Sequence, residues 1–168
     1  MSSPVFRHAK ASDAEILFNL EKDGYGIDQS MTLEEIQRWI DAKSHWFLVL
    51  EQDGTAIGFI HYGFVEEDYV SESGFIKQFT EFEFASYVLI RSFVIEPGSR
   101  GLHYSSWMME ELERRMDSLG KKAIHIRCRN DRVDLARQMA FTYVAAMRSD
   151  DNGTWHQMSL RLSKYYAR

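Results

Sequence analysis

One amphipathic helix set between two apolar strands constrains the fold more than any other feature of this sequence. Small or apolar residues recur every three or four positions over 105–119, which places them on one helical face. Gly120 follows as the expected C-terminal stop. The apolar run Phe84–Ile95, ended by Pro97, precedes this helix, and the β-branched run Ala123–Arg129 follows it. The three segments predict one strand–helix–strand crossover in the middle of the chain.

One hairpin is predicted on each side of this crossover. An Asp-Gly turn between apolar runs is among the strongest short-range hairpin signals, and Asp53-Gly54 is such a turn. The first strand pair is Trp46–Gln52 with Thr55–Phe64, and the second is Tyr143–Arg148 with Trp155–Leu162. Because hairpin strands are antiparallel, most of the predicted sheet is antiparallel.

Four further elements complete the predicted order. They are a strand at Val5–Arg7, a helix from a Ser12 cap to Gly24, a helix opened by the Thr32–Glu35 capping box, and a short helix over 131–140. The resulting order is β-α-α-β-β-β-α-β-α-β-β, which is typical of a mixed sheet with helices on both faces.

Length and composition set the number of domains. With 168 residues, 45% of them apolar and 27% charged, the chain is expected to form one globular domain spanning residues 1–168. The predicted fold class is therefore α/β, or α+β, with a mixed, mostly antiparallel sheet and a central strand–helix–strand crossover.

Cysteine content, hydropathy and charge argue against several functions. The one cysteine, Cys128, cannot form an internal disulfide, and the six histidines show no metal-ligand spacing, so no metal site is expected. No apolar run approaches the roughly 18 residues of a membrane span. The first residues lack a secretory signal, so a cytoplasmic protein without a membrane partner is expected. A formal charge of −5 without a basic stripe argues against nucleic acid as a partner.

An acidic stretch lies between Glu66 and Glu83, where six carboxylates stand against the single Lys77. Two interpretations stay open. The stretch is either a solvated loop or an acidic rim that attracts a cationic substrate.

The segment with the most chemical content runs from Phe93, at the end of a strand, to Ser106, in the first turn of the central helix. A helix N-terminus leaves about four backbone N–H groups without intrahelical partners, and the helix dipole adds roughly half a positive charge there. A tight turn leading into that end suits an anion such as phosphate, to which Arg100 can add a charge-assisted contact. The spacing differs from both GxxxxGK[ST] and GxGxxG.

The stretch Ile95–Gly101, with the sequence IEPGSRG, resembles the V-x-P-x-x-R-G motif of the GNAT superfamily of acyl-CoA-dependent N-acyltransferases. Arg7–Ala9 followed by Asp13 is similar to that family's opening R-x-A-x-x-x-D. The predicted order of elements is also the family's order. The resemblance therefore extends over nearly the whole chain, and it implies a GNAT-like fold with acetyl-CoA as co-substrate.

The resemblance also implies where CoA binds. In the GNAT superfamily, backbone amides before the central helix hold the CoA pyrophosphate, and the pantetheine arm enters where the two crossover strands splay apart. The residues expected to bind CoA are Phe93, Val94, Ile95, Arg100, Gly101, Leu102, His103, Tyr104, Ser105, Ser106 and Asn130. Many relatives are dimers, so the sheet edge beyond Trp155–Leu162 is a candidate homodimer contact.

Four residues depart from the family's pattern. His103 and Ser105 replace small loop residues, Ala140 replaces the glycine of a Gly-Phe pair, and Ala136 replaces a tyrosine that often protonates the departing thiolate. A positive φ at His103 would carry a strain penalty. Tyr104 and Tyr143 are the candidate replacements for the missing acid.

Acyl transfer from a thioester to an amine needs a neutral amine, N–H donors for the tetrahedral oxyanion and a stabilised thiolate. The candidate catalytic residues are Glu83, Tyr87 and Tyr143, with His61 and Arg91 also within plausible reach. Alternation places Tyr87 and Arg91 on one strand face. Either they line an acceptor pocket, or Arg91 pairs with a glutamate for structure.

The resemblance predicts an N-acyltransferase that transfers acetyl from acetyl-CoA to a primary amine of a small cationic molecule, a peptide or a protein. The alternative is a CoA-binding regulatory or interaction module of the same fold with weak catalysis, which Ala136 and His103 favour. A structural domain without a CoA site would require the loop match to be accidental.

Overall fold

The computed structural model describes residues 3–25, 30–72, 75–101, 103–150 and 153–162. Its strands are β1 (Val5–His8), β2 (Phe47–Gln52), β3 (Thr55–Val65), β4 (Tyr87–Ile95), β5 (Ala123–Arg129), β6 (Thr142–Asp150) and β7 (Gly153–Arg161). Its helices are α1 (Ala14–Tyr25), α2 (Leu33–Lys43), α3 (Phe75–Gln78), α4 (Tyr104–Ser118) and α5 (Val133–Gln138). The order is the predicted one, with the short α3 added inside the acidic stretch.

The strands form a seven-stranded sheet in the order β1-β2-β3-β4-β5-β7-β6. β7 pairs with β5 and with β6, so the predicted sheet edge at Trp155–Leu162 is wrong. The pairs β1/β2, β2/β3, β5/β7 and β6/β7 are antiparallel, whereas β4/β5, the two crossover strands, are parallel. Asp53 and Gly54 have φ values of 52° and 84°, as the two central residues of a type I′ hairpin turn require. The predicted fold class, a mixed and mostly antiparallel sheet with one central crossover, is confirmed.

The chain divides into two compact units. The first unit contains the residues up to Tyr62 together with Ser92–Met108, and the second contains Gly63–Arg91 and the residues from Met109 onward. The prediction of one domain spanning residues 1–168 stays a prediction. No described helix has the length and hydropathy needed to cross a membrane.

The core of the first unit is shared by α1, α2, β2 and β3. Leu17 on α1, Ile36 on α2 and Phe59 on β3 are among its fully buried side chains. α2 begins where the sequence predicts. Thr32 Oγ1 accepts the N–H of Glu35 at 3.2 Å, and Glu35 Oε1 accepts the N–H of Thr32 at 3.0 Å. This reciprocal pair is the predicted capping box.

α1 does not begin at a Ser12 cap, so that prediction is wrong. Ser12 lies inside a 3₁₀ turn, Ala11–Asp13, and α1 follows from Ala14. The Asp13 carboxylate accepts the main-chain N–H of Lys10 at 2.8 Å. Arg7 donates two hydrogen bonds to the same carboxylate, at 2.7 and 2.8 Å, and so orients it. The Asp13 carboxylate therefore bonds back to Lys10, the residue before the 3₁₀ turn, and α1 continues from this turn.

β4 begins at Tyr87, later than the predicted Phe84. The buried amino group of Lys121 donates to the main-chain carbonyls of Glu83 and Ala85, at 2.6 Å for Ala85. The N–H of Ala85 donates to the carbonyl of Phe82 at 3.0 Å. Because these bonds fold 82–85 into a turn, the extended backbone starts only after them.

Candidate active site

The β4–β5 ladder ends before either strand does. Its register pairs Tyr87–Ile90 with Ala123–Ile126, and in the described part of the chain it goes no further. β4 nevertheless continues to Ile95, and β5 continues to Arg129 in antiparallel pairing with β7.

The last residues of β4 are held closely against other elements of the first unit. A Cβ at Gly58 on β3 would lie 2.9 Å from the carbonyl oxygen of Val94, so this approach of two backbones requires glycine. A Cβ at Gly24 on α1 would lie 3.1 Å from Val94 Cγ1. Because the Val94 side chain is buried here, Val94 can contact a ligand only through its main chain.

A short loop joins β4 to α4. Pro97–Ser99 form a 3₁₀ turn, and the buried Ser99 hydroxyl donates to Glu96 Oε1 at 2.7 Å. Arg100 Nε donates to the carbonyl of Ile95 at 3.1 Å, and the Arg100 residue is exposed. The loop therefore folds back on the end of β4 and presents a positive charge to solvent.

Two residues of this loop have positive φ, 87° at Gly101 and 63° at His103. Histidine is one of the non-glycine residues more often found in this region, although at a steric cost that glycine avoids. The backbone at His103 therefore has the left-handed conformation that favours glycine, although histidine occupies the position. Leu102, which was also expected to bind CoA, lies outside the described residues.

α4 begins at Tyr104, directly after this loop. A backbone hydrogen bond runs from the N–H of Trp107 to the carbonyl of His103 at 3.2 Å. The N–H groups of Tyr104, Ser105 and Ser106 therefore lie in the first turn, where the helix supplies no acceptor. No acidic side chain occupies this turn, all of which the structure describes. The N-terminus of α4 is thus open to an anionic ligand.

Glu83 and Tyr87, two of the predicted catalytic residues, lie in the second unit. Glu83 is exposed, and its main-chain carbonyl accepts the Lys121 amino group. Tyr87 is half-buried against the apolar cluster of that unit, and its ring centroid is 5.7 Å from that of His125. This packing favours a structural role for Tyr87, whereas a catalytic role for either residue stays a prediction.

Two other side chains that could take part in chemistry, His61 and Cys128, are buried. His61 is fully buried in the first unit and stacks on Phe47 with ring centroids 4.0 Å apart. Cys128 is buried in the second unit, and burial raises the pKa of its thiol to about 11, so the thiol stays protonated. Within the described ranges, no three His, Cys, Asp or Glu side chains are grouped as metal ligands would be.

Part of the acidic stretch pairs inside the second unit. Arg161 Nη1 lies 2.7 and 2.9 Å from the two carboxylate oxygens of Asp68. His125 Nε2 lies 3.0 Å from Asp68 Oδ1. Asp68 is therefore an internal partner, whereas Glu66 and Glu81 are exposed and keep the acidic-rim interpretation open.

Tyr143, the third predicted catalytic residue, contacts a histidine that the sequence analysis did not single out. Tyr143 Oη lies 2.9 Å from His156 Nδ1, and His156 Nε2 is hydrogen-bonded to Asn130 Oδ1. In the β6–β7 register Tyr143 is opposite Met158, so Tyr143 and His156 form a diagonal cross-strand pair. The register of this hairpin is the signal that could have found the contact.

Ala140, in place of the family's glycine, ends α5 with φ 73°. The N–H of Phe141 donates to the carbonyl of Ala136, and the N–H of Ala140 to that of Arg137, both at 3.0 Å. This pair of bonds is a Schellman motif, and α4 ends in the same motif around Gly120, with φ 75°. Ala140, like His103, thus keeps a left-handed conformation without a glycine.

Ala140→Gly is expected to raise the free energy of unfolding by about 1 kcal/mol, because glycine takes the left-handed conformation without the steric cost of a Cβ. Gly120→Ala is the matched control, since it adds a Cβ at the equivalent position and is expected to lower stability by a similar amount. Urea denaturation of both variants measures the changes. A destabilised Ala140→Gly variant would mean that the added entropy of the unfolded chain outweighs the relieved strain.

The chain matches the family model described as "Acetyltransferase (GNAT) family" over residues 14–141. It is similar to the loading GNATL domain of CurA from Lyngbya majuscula, with 13% identity and a TM-score of 0.84 over 96% of this chain and 99% of that chain. It is also similar to the GphF GNAT-like decarboxylase in complex with isobutyryl-CoA, with 15% identity and a TM-score of 0.76 over 94% and 99% of the two chains.

A third similar structure is yncA from Salmonella typhimurium with its cofactor acetyl-CoA. It is 18% identical, with a TM-score of 0.71 over 96% of this chain and 95% of that chain. At these identities the similarity shows a shared fold. No curated protein matches the chain by sequence.

Proposed function

Because the chain belongs to the acetyltransferase (GNAT) family, we propose that it is an N-acyltransferase that moves acetyl from acetyl-CoA to a primary amine. The observation that carries the proposal is the loop before α4. Gly101 and His103 both have positive φ there, and the first turn of α4 contains no acidic residue. Such a loop presents backbone N–H groups to an anion. The similar yncA structure contains acetyl-CoA, which agrees with this reading.

In this proposal, the CoA pyrophosphate binds at the loop and the first turn of α4. Its partners are the Arg100 guanidinium and the main-chain N–H groups of Gly101, Leu102, His103, Tyr104, Ser105 and Ser106. The main chain of Phe93–Ile95 holds the pantetheine arm. The carbonyl of Ile95 already accepts Arg100 Nε, but a carbonyl oxygen has two lone pairs and can accept a second donor. Asn130 is a further proposed contact of CoA.

The transfer reaction makes three demands on the protein. The neutral amine attacks the thioester carbonyl, so that a C–N bond forms and the C–S bond breaks. Backbone N–H groups of Phe93–Ile95 are proposed to donate to the oxyanion that develops on the carbonyl oxygen. The departing thiolate must be stabilised or protonated. The amine must also lose a proton, which requires a base on the protein or in solvent.

The proposed acceptor is a cationic primary amine, either a small molecule or an amine of a peptide or protein. Its ammonium form would be attracted by the exposed carboxylates of the acidic stretch, which include Glu66 and Glu81. Asp68 contributes less to this attraction, because Arg161 already neutralises it.

A CoA-binding module with weak catalysis is the second candidate. Ala136 replaces the tyrosine that the family often uses as an acid, and it is 3% exposed. Ala136→Tyr would overpack this buried position, so a failure of that variant to gain activity would not separate the two candidates. The GphF decarboxylase also has a GNAT-like fold and binds an acyl-CoA, so a similar fold serves a different CoA reaction in that protein.

Acetyl-CoA is expected to raise the melting temperature of the protein. At about 100 times the dissociation constant, a ligand stabilises the folded state by roughly 2.7 kcal/mol, which for a chain of this size is a shift of about 5–10 °C. Free CoA should give a similar shift and adenosine little. No shift with acetyl-CoA or CoA would contradict the proposed function. A shift would justify a screen of primary amines, in which thiol release is measured.

Arg100→Ala is expected to weaken acetyl-CoA binding by about 1–3 kcal/mol, as the loss of a charge-assisted contact would. Arg114→Ala is the matched control. Arg114 is an exposed arginine on α4, away from the loop, and it pairs with Glu111. Calorimetric titration of both variants measures the two affinities. An equal affinity in the Arg100 and Arg114 variants would remove Arg100 from the site.

A further inference from the structure

Three polar side chains of the second unit form a continuous hydrogen-bonded chain. Tyr143 on β6 contacts His156 on β7 through Oη and Nδ1, which are 2.9 Å apart. His156 Nε2 is hydrogen-bonded to Asn130 Oδ1, and Asn130 directly follows the last residue of β5. Tyr143 is 41% exposed, so this end of the hydrogen-bonded chain reaches a residue at the surface.

The direction of these hydrogen bonds follows from the chemistry of the partners. The amide oxygen of Asn130 can only accept, so His156 Nε2 carries the hydrogen of the neutral ring. His156 Nδ1 then has a lone pair and accepts the hydroxyl hydrogen of Tyr143. A tyrosine whose proton already points at a basic nitrogen presents its oxygen lone pairs outward. It is arranged to accept a proton rather than to give one.

Asn130 follows β5 at the end where the β4–β5 ladder has stopped, past the Ile90–Ile126 pair. Neither Glu83 nor Tyr87 is at this end, because Tyr87 is the first paired residue of β4 and Glu83 precedes it.

We propose that Tyr143 is the base that deprotonates the acceptor amine and that His156 is its proton acceptor, with Asn130 as the positioning residue. This inference rests on the proposed N-acyltransferase function. Tyr143 Oη takes a proton from the substrate ammonium as its own proton passes to His156 Nδ1. The ammonium becomes a neutral amine, and the imidazole becomes an imidazolium that still donates to Asn130 Oδ1. After the attack, the nitrogen loses its second proton to solvent as the amide forms. The proton held on His156 returns through Tyr143 to the departing thiolate, so the protein ends each cycle unchanged.

Several charged groups lie near the relay in the part of the chain that the structure describes. The Arg137 guanidinium of α5 lies 5.8 Å from the Tyr143 ring centroid. On β5, Arg127 and Arg129 flank Cys128, which is opposite His156, and both guanidinium groups lie over the Trp155 ring, at 4.5 and 3.8 Å. Asp131 and Arg132 follow Asn130 in the chain. Asn130 itself supplies orientation without a negative charge, so Asn130→Asp changes charge with little change in size.

The first test needs no substrate and measures the histidine tautomer. Long-range ¹H–¹⁵N spectra of the full chain, with His156→Gln used to assign the signal, are expected to show His156 as the Nε2–H tautomer at about pH 8. Asn130→Ala should increase the fraction of the other tautomer, whereas Tyr69→Phe, at another exposed tyrosine of the second unit, should leave it unchanged. An Nδ1–H tautomer in the unaltered protein would overturn the relay, because His156 would then donate to Tyr143.

The second test uses the protein with acetyl-CoA and an amine from the screen. Tyr143→Phe and His156→Gln are each expected to lower kcat by about 100-fold or more, with the melting shift by acetyl-CoA retained. The pH profile of kcat should differ from that of the unaltered protein in His156→Gln and in Asn130→Asp. Tyr69→Phe should keep the original rate and profile.

The two proposals fail in different ways. If acetyl-CoA binds and transfer occurs, but Tyr143→Phe keeps the original kcat and pH profile, the relay is wrong and the proposed function stands. If acetyl-CoA produces no melting shift, the proposed function is wrong, and with it the catalytic role of the relay. The tautomer spectra then still decide whether the hydrogen-bonded chain itself exists.

Discussion

Acidification from about pH 7 to about pH 4.5 is expected to lower the free energy of unfolding by about 2 kcal/mol through His125 alone. His125 is fully buried in the second unit, and burial lowers its pKa from 6.5 to about 4. Asp68 acts in the opposite direction, but its contact with Nε2 at 3.0 Å lacks the alignment of a hydrogen bond. Arg161 pairs with the same carboxylate and opposes a second positive charge there.

The sign follows from where the proton binds. Below about pH 6.5 the unfolded chain takes up a proton at this histidine, whereas the folded chain takes it up only near pH 4. Folding therefore releases a proton within this window. The stabilising contribution is complete above pH 6.5 and is lost as the pH falls towards 4.

His125→Asn is the variant that isolates this effect. Asparagine does not titrate in this range, and its side-chain amide can still bond to the Ser159 hydroxyl, which lies 2.6 Å from His125 Nδ1. Urea denaturation of both proteins from about pH 7.5 to about pH 4.5 yields two stability curves. The curve of the unaltered protein is expected to approach that of the variant by about 2 kcal/mol as the pH falls. Parallel curves would show that His125 does not set the pH dependence.

Local sequence signals predicted most of the fold because they act over a few residues. The Thr32–Glu35 capping box, the Asp53-Gly54 turn and the stop at Gly120 each depend on backbone needs that neighbouring residues meet. The predicted positive-φ cost at His103 also follows from one position in one loop. These signals do not depend on which distant residues come together.

The errors arose where a distant residue decides the local structure. The turn before β4 depends on Lys121, whose amino group binds the carbonyls of Glu83 and Ala85 from 38 and 36 positions away, respectively. Alternation in the sequence does not contain this partner. The start of α1 is a different case, because its residues are close in sequence and Arg7 and Asp13 hold the turn before the helix.

The contact between Tyr143 and His156 could not be predicted from the sequence for a related reason. β6 has register shifts between Tyr143 and Ala145 and between Ala146 and Ser149. A one-residue slip moves side chains to the opposite face of a sheet, so a regular hairpin drawn from the sequence misplaces them. Tyr143 can therefore be named from the sequence as a candidate catalytic residue, but its contact with His156 requires the register.

Asp13→Ala is expected to lower the free energy of unfolding by about 3 kcal/mol, at the lower end for a broken buried ion pair because Arg7 is partly exposed. The side chain of Asp13 is 6% exposed and that of Arg7 21%. Burial acts to raise the pKa of Asp13, but hydrogen bonds from Arg7 and from the N–H of Lys10 lower it overall. The substitution leaves Arg7 with Glu51 as its remaining acid and removes the acceptor of the Lys10 N–H.

Glu51→Ala is the matched control for this pair. It removes one hydrogen bond, which Arg7 Nε donates to Glu51 at 2.8 Å, and the Glu51 side chain is 21% exposed. We expect the free energy of unfolding to fall by about 1 kcal/mol. Urea denaturation measures both variants, and an equal cost would contradict the central place of Asp13. The affinity for acetyl-CoA should be unchanged in both, because Arg7 ties β1 to the turn before α1 and lies outside the loop at 100–106. Arg7 and Asp13 of the opening motif would then have a structural role, and the loop at 100–106 would remain the proposed CoA-binding motif.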